Sequence, residues 1–359
     1  ADASAMTHAW LITGPPGSGR SVAARAFAAA LQCTGEAVGC GQCAGCRTTM
    51  GRTNADVLFA ATETSIINVD TARSLVLQAQ SSPSQGLWRV IVVEDADRLG
   101  ESGANALLKA IEEPPEHTVW LLCAPSPEDM IATIRSRCRH LGLRIPTASA
   151  VADLLVHEGV ATPDVALEAA RAAQSHIGLA RALARDPQMR ERRRAIITAP
   201  ASVRSVGEAV MAADRLLETA KAQADAQVSE RNAREKAELM RQLGMDEGES
   251  ATKASRTMIR QLEEDQKRRS KRALTDAIDR ALIDLLAIYR DVLMVQVGGD
   301  GELINTDLSD LVHQIAQDST PRQTLARVDH IETARKRLVS NGNPLLVLED
   351  MAISLRPQA

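Results

Sequence analysis

Aromatic residues make up only 2% of this 359-residue chain, and beyond Trp120 Tyr289 stands alone. The second half therefore packs with Ala, Leu, Ile, Val and Met, a composition that favours helices. The same shortage removes the stacking platforms that single-strand nucleic-acid binders use. No apolar run approaches the ~18–20 residues that cross a bilayer, and no signal peptide is visible. Excess positive charge is also lacking. The formal net charge is −4, so any nucleic-acid contact must come from a local patch. Without a secretory signal, the six cysteines do not read as a disulfide framework. The opening "ADASAMTHAW" runs almost at once into a strand, and an N-terminal piece is expected to be missing.

What is present is ordinary for a soluble globular protein: 45% hydrophobic and 25% charged residues. The length implies two or three domains. "AWLIT" (Ala9 to Thr13) predicts a strand broken at Gly14, followed by an alanine-rich helix from Arg20 to about Leu31. "DVLFA" (Asp56 to Ala60), "WRVIVVEDAD" (Trp88 to Asp97), "TVWLLCA" (Thr118 to Ala124) and "HLGLR" (His140 to Arg144) read as further strands. Helical spacing follows Val69, Ala72, Leu75, Val76 and Ala79, and Glu101 to Glu113 is a helix stopped by Pro114-Pro115. Alternating strands and helices imply a parallel α/β sheet. From Pro146 onward the chain is helical. Ala220 to Arg272 is heavily charged with both signs interleaved, which predicts a solvated or projecting arm. Amphipathic spacing then returns at Leu274, Ile278, Ala281, Leu282, Leu285, Ile288 and Leu293.

"GPPGSGRS" (Gly14 to Ser21) almost spells G-x-x-x-x-G-K-[ST], with strand before and helix after. Gly14, Gly17 and Gly19 allow the tight curl that cradles phosphate on backbone N–H groups and a helix N-terminus. Arg20, however, stands in the lysine slot, and a planar fork does not replace a compact point charge in a crowded site. The alternative is a turn without a ligand. Strand-end acids of such ATPases run Asp then Glu, the first on Mg²⁺ and the second on water. Here the order is Glu94 then Asp95, so one side chain is a methylene too long and the other too short. In-line attack tolerates little misplacement. Two solvated acids at a strand end are the plainer account.

Cys33, Cys40, Cys43 and Cys46 form C-x6-C-x2-C-x2-C. The two-residue gaps let thiolates converge on one ion, and four such ligands close a tetrahedron around Zn²⁺ with no position left for water. "GEAVGCGQCAGC" is a poor helix or strand former, so a metal is expected to supply its order. An iron–sulfur cluster uses the same ligands, and free thiols are the third alternative. Between two apolar elements, "TIRSRCRHLGLR" (Thr133 to Arg144) gathers Arg135, Arg137, Arg139, Arg144 and His140. It reads either as a basic surface turn or as the source of an arginine for another subunit's γ-phosphate.

In this order the loop, the cysteine module, "VVEDADRL", "NALLKAIEEPPEHTVWLL" and "IRSRC" resemble subunits of the bacterial DNA polymerase III clamp loader, an AAA+ assembly. The match is strong from about Ala9 to Arg144 and weak beyond. The resemblance implies an α/β AAA+ module over residues 1–145 with an inserted zinc module (33–46). It also implies an all-α lid (146–200) and an all-α collar (201–359) carrying a charged insertion (about 220–272). Among the family's subunits the chain looks like a non-motor one. Its degenerate nucleotide site would comprise Gly14, Gly17, Gly19, Arg20, Ser21, Glu94 and Asp95. The Ser136-Arg137-Cys138 turn is then the candidate catalytic element, with Arg137 acting in trans. Implied partners are the motor subunits (τ/γ), a δ subunit, the sliding clamp and, through the complex, primed DNA. Implied cofactors are structural zinc, with ATP and Mg²⁺ doubtful in the chain's own site, and the implied location is cytoplasmic. A motor subunit of the same complex, binding or weakly hydrolysing ATP, is the alternative.

Overall fold

The computed structural model describes residues 6–60, 67–243 and 253–356. It divides into two compact units: residues 1–147 with 175–178, and residues 148–174 with 179–359.

In the first unit, five strands form one sheet: β1 (Ala9–Thr13), β2 (Val57–Ala60), β3 (Arg89–Val93), β4 (Thr118–Ala124) and β5 (Arg139–Gly142). Their order is β2-β3-β4-β1-β5 and every pairing is parallel. Parallel strands need crossovers, and helices on both faces supply them. Side chains alternate across the pleat, so Val90, Val92, Val119 and Leu121 pack with Ala24 and Ala28 of α1 (Arg20–Leu31). On the other face, Ile91, Val93, Trp120 and Leu122 pack with Leu75 of α3 (Val69–Ala79) and with Leu107 and Ile111 of α4 (Glu101–Glu112). The unbroken apolar runs at β3 and β4 are explained by this double burial. β5 is an exposed edge.

Between α1 and β2 lies α2 (Ala44–Met50), which starts inside "GEAVGCGQCAGC", a stretch expected to form no helix. The reason is local: Cys43 is its N-cap, with Sγ accepting from the Cys46 N–H at 3.4 Å. A sulfur thus does the work usually given to a Ser or Asp oxygen.

The second unit is all-α: α6 (Ala148–His157), α7 (Pro163–Ala172), α8 (Ile177–Arg185), α9 (Pro187–Ser202), α10 (Val206–Gln242), α11 (Lys253–Gln296), α12 (Ser309–Gln317), α13 (Pro321–Val339) and α14 (Pro344–Ser354). The first residues of α8 belong to the α/β unit. The amphipathic stretch read from the sequence forms the core, where Ile278, Leu282, Leu285 and Ile288 meet Leu217, Ile331 and Leu348. Beneath it, Asp291 is fully buried and accepts hydrogen bonds from the N–H groups of Ile304 (3.0 Å) and Asn305 (2.8 Å).

The charged stretch is a pair of antiparallel helices rather than a lone solvated one. Ala224 and Val228 of α10 pack on Ala273 of α11. Farther out, Arg269 bonds Asn232 Oδ1 at 2.7 Å and Glu235 Oε2 at 2.9 Å. Residues 244–252 of that stretch lie outside the described residues.

Candidate functional site

The carboxyl ends of β1 and β3 place the loop and the acids together, as open parallel sheets do with their ligand sites. Gly14 ends β1 and donates its N–H to Pro125 O at 3.1 Å. Gly17 and Gly19 have φ of 86° and 85°, a left-handed conformation that glycine adopts without steric cost. Gly19 caps α1, and Arg20 and Ser21 form its first turn. The phosphate-loop curl is therefore present.

Three side chains change what that curl can do. The Arg20 guanidinium donates back to the Gly14 carbonyl, so its charge is spent on the loop itself. His176, just ahead of α8, packs on Gly17. A Cβ on Gly17 would lie 2.4 Å from His176 Cγ. Glu94, at the end of β3, is paired with Arg52 at 2.6 Å, with its side chain 13% exposed. Asp95 follows it, and a 3-10 turn (Ala96–Arg98) carries Asp97. Burial, and then the Asp95 charge, push the Asp97 carboxyl above the usual carboxylate range. Cys123, at the end of β4, is pushed up to about 12 by burial. Ser18 Oγ is buried with no hydrogen-bond partner, a polar group left over in the curl. As arranged, the pocket does not fit a magnesium triphosphate: its arginine, its loop face and its first acid are all engaged by the protein. Arg52 and His176 were not legible in the sequence, because neither belongs to a phosphate-loop pattern.

The four thiols converge. The Sγ atoms of Cys33, Cys40, Cys43 and Cys46 lie within 4.8 Å of one another. Cys33 and Cys43 Sγ are 3.9 Å apart, near the edge of roughly 3.8 Å for a tetrahedron with Zn–S bonds of about 2.3 Å. Backbone N–H groups of Cys40, Cys43 and Cys46 point at the sulfurs of Cys33, Cys40 and Cys43 at 3.3–3.4 Å. Such donors favour thiolates: the Cys46 N–H leads in lowering Cys43 to about 5. Cys46 is buried, and burial pushes it up to about 12. A metal ion would displace that proton on binding. The donor set thus fits one tetrahedral metal ion.

The Ser-Arg-Cys turn lies elsewhere on the unit. Ser136 caps the C-terminus of α5 (Ala132–Arg135). Arg137 is exposed, pairs with Glu112 at the end of α4, and donates to Thr133 O at 2.8 Å. Ser136 Oγ accepts from its guanidinium at 3.3 Å. Cys138 packs against the sheet core, and burial pushes its thiol up to about 12. It serves as an anchor, with no reactive thiolate.

Residues 1–147 match the family model described as DNA polymerase III, delta subunit, and residues 252–356 match DNA polymerase III, delta subunit, C terminal. The chain is 35% identical to DNA polymerase III subunit gamma/tau of Mycobacterium tuberculosis H37Rv, over 45% of this chain and 29% of that protein. It is also 35% identical to DNA polymerase III subunit delta' of Pseudomonas aeruginosa PAO1, over 45% of this chain and 50% of that protein. The matched region thus spans half or less of each of these relatives. A DNA polymerase III gamma subunit-related protein of Thermotoga maritima superposes over 97% of this chain and 93% of its own at TM-score 0.45 and 15% identity. No helix among the described residues is long and apolar enough to cross a membrane.

Proposed function

This chain belongs to the DNA polymerase III clamp-loader family, on its delta-prime branch, and from that premise we propose that it is a non-motor AAA+ subunit. It leaves its own pocket unused for hydrolysis and supplies Arg137 to a neighbouring subunit's ATP. The observation that carries this reading is the contrast between two arginines. Arg20, inside the pocket, is turned onto its own loop. Arg137 is exposed at the end of α5, where it can leave Glu112 for a stronger anion.

The partners on this reading are the motor subunits (τ/γ), a δ subunit and the sliding clamp, with primed DNA reached through the complex. The four cysteines hold a structural zinc ion that orders the segment between α1 and α2. Residues 148–200 act as the lid and 201–359 as the collar.

A second reading, passive nucleotide binding or weak hydrolysis as in a motor subunit, draws on the unpartnered Ser18 hydroxyl inside a correctly curled loop. Both readings meet the same experiment. ATP turnover is measured for the isolated chain and for the complex with motor subunits, each with native Arg137 and with Arg137→Ala. We expect no turnover by the isolated chain and a drop of at least roughly tenfold in the mutant complex, a conservative bound for a trans arginine. Equal turnover in both complexes removes the trans role. Turnover by the isolated chain, abolished by Arg20→Ala, establishes the second reading.

A further inference from the structure

We infer that the four-cysteine module is the mount for Arg52, whose guanidinium gives Glu94 the counter-charge that a divalent cation gives the strand-end acid of an ATPase. This rests on the proposed reading of the pocket as one that does not turn over nucleotide, and assigns the module a task at that pocket.

Arg52 is constrained three times. Its backbone is left-handed, with φ of 60°, a conformation that non-glycine residues other than Asn and Asp seldom adopt. Its guanidinium lies over the Phe59 ring at 5.2 Å. Its Nη2 reaches Glu94 Oε1 at 2.6 Å. A casual surface ion pair has none of the first two constraints, and long side chains do not hold one geometry without them.

The charge is needed where it sits. Glu94, Asp95 and Asp97 fall within four positions, and the Glu94 side chain is mostly buried. Like charges so placed destabilise one another unless a cation joins them. Phosphate-loop ATPases bring Mg²⁺ to this position. Here an arginine from the same chain stands on the acid.

The mount leads back to the thiols. Cys43 caps α2 and Cys46 lies in its first turn. The buried Cys46 Sγ contacts Ala29 O of α1 at 3.5 Å. α2 closes on Gly51, and the Arg52 N–H bonds Thr49 O at 3.0 Å. A metal that fixes Cys43 and Cys46 therefore fixes the helix from which Arg52 projects.

The test uses neither ATP nor a partner, so it fails or succeeds apart from the proposed function. Mn²⁺ alone is titrated into the full chain and free ion is followed by electron paramagnetic resonance. Wild type, Arg52→Ala, Arg52→Lys, Arg52→Ala with Glu94→Gln, and Cys43→Ser are compared, with folding checked by circular dichroism. Arg52→Ala is expected to bind one Mn²⁺ roughly tenfold tighter than wild type, the scale of one uncompensated carboxylate. Arg52→Lys is expected to restore wild-type binding, and Glu94→Gln to cancel the gain. Cys43→Ser is expected to behave as Arg52→Ala; Cys40→Ser replaces it if it does not fold. Arg52→Ala indistinguishable from wild type overturns the counter-charge. A gain that survives Glu94→Gln overturns it as well. A folded cysteine variant that binds Mn²⁺ as wild type does overturns the mount.

Discussion

His176 lies directly on Gly17: a methyl added to that glycine would meet the histidine's Cγ at 2.4 Å, Cβ at 2.5 Å and Cα at 2.6 Å. The fit requires glycine twice, once for space and once for φ of 86°. Gly17→Ala should therefore cost about 1–3 kcal/mol through left-handed strain and overpacking. His176→Ala in the same background should recover part of that loss, since it removes the clash and leaves the strain. Thermal melting of the two variants and the single His176→Ala control reads the coupling. Purely additive effects would show that the contact carries no energy.

Metal content gives an independent check on the module. One ion per chain is expected in untreated protein, and Cys43→Ser should lose it. The segment from Cys33 to Met50 has few apolar contacts of its own, so its order should fall with the ion. Limited proteolysis there should quicken at least roughly tenfold, the kind of change local unfolding produces. A metal-free native protein, or cleavage unchanged by the substitution, would falsify the structural role.

The parts written in chemistry were legible from the sequence. Three glycines, a wrong-way acid pair and two-residue gaps between cysteines each forecast a local geometry that the fold contains. The buried strands were legible too, because β3 and β4 are apolar without interruption. What escaped notice depends on distance along the chain. Arg52 meets Glu94 across 42 positions, and His176 reaches a loop about 160 positions upstream. Nothing in either residue's neighbourhood marks its partner. The helix α2 was hidden because its cap is a sulfur, outside the usual N-cap alphabet. The charged stretch looked solvated because its seam uses small residues. Ala224, Val228 and Ala273 carry little hydrophobic signal yet let two helices approach.

Glu112 is the acid that Arg137 must leave to serve a neighbour. Both side chains are more than a third exposed, at 38% and 42%, so solvent screens the pair and its worth to folding is about 0–0.5 kcal/mol. Glu112→Gln should leave the melting temperature of the isolated chain nearly unchanged. In the complex it should raise ATP turnover by the partner subunit, because the guanidinium no longer has a competing carboxylate. Steady-state turnover of the complex separates this from a purely local role, in which neither quantity moves.

Asp56 sets the acid limit of the α/β unit. It is fully buried at the start of β2. Burial by itself would raise its pKa, but the N–H groups of Ser84 (2.6 Å), Gln85 (2.7 Å) and Gly86 (2.7 Å) outweigh it. With the Ser84 hydroxyl they hold the carboxyl at about 2. The folded value lies below the unfolded one of about 3.9, so folding favours the ionised form. Its contribution, of order 2 kcal/mol, is fully present above the unfolded pKa and is lost as pH falls toward 2. Asp56→Asn keeps the shape but removes the charge and turns one acceptor into a donor facing donors. It should lower stability near neutrality and flatten the acid limb between about pH 4 and 2. Urea unfolding followed by the fluorescence of Trp88 and Trp120 reads both. An acid limb as steep in the variant as in the native chain would place the acid sensitivity on other carboxylates.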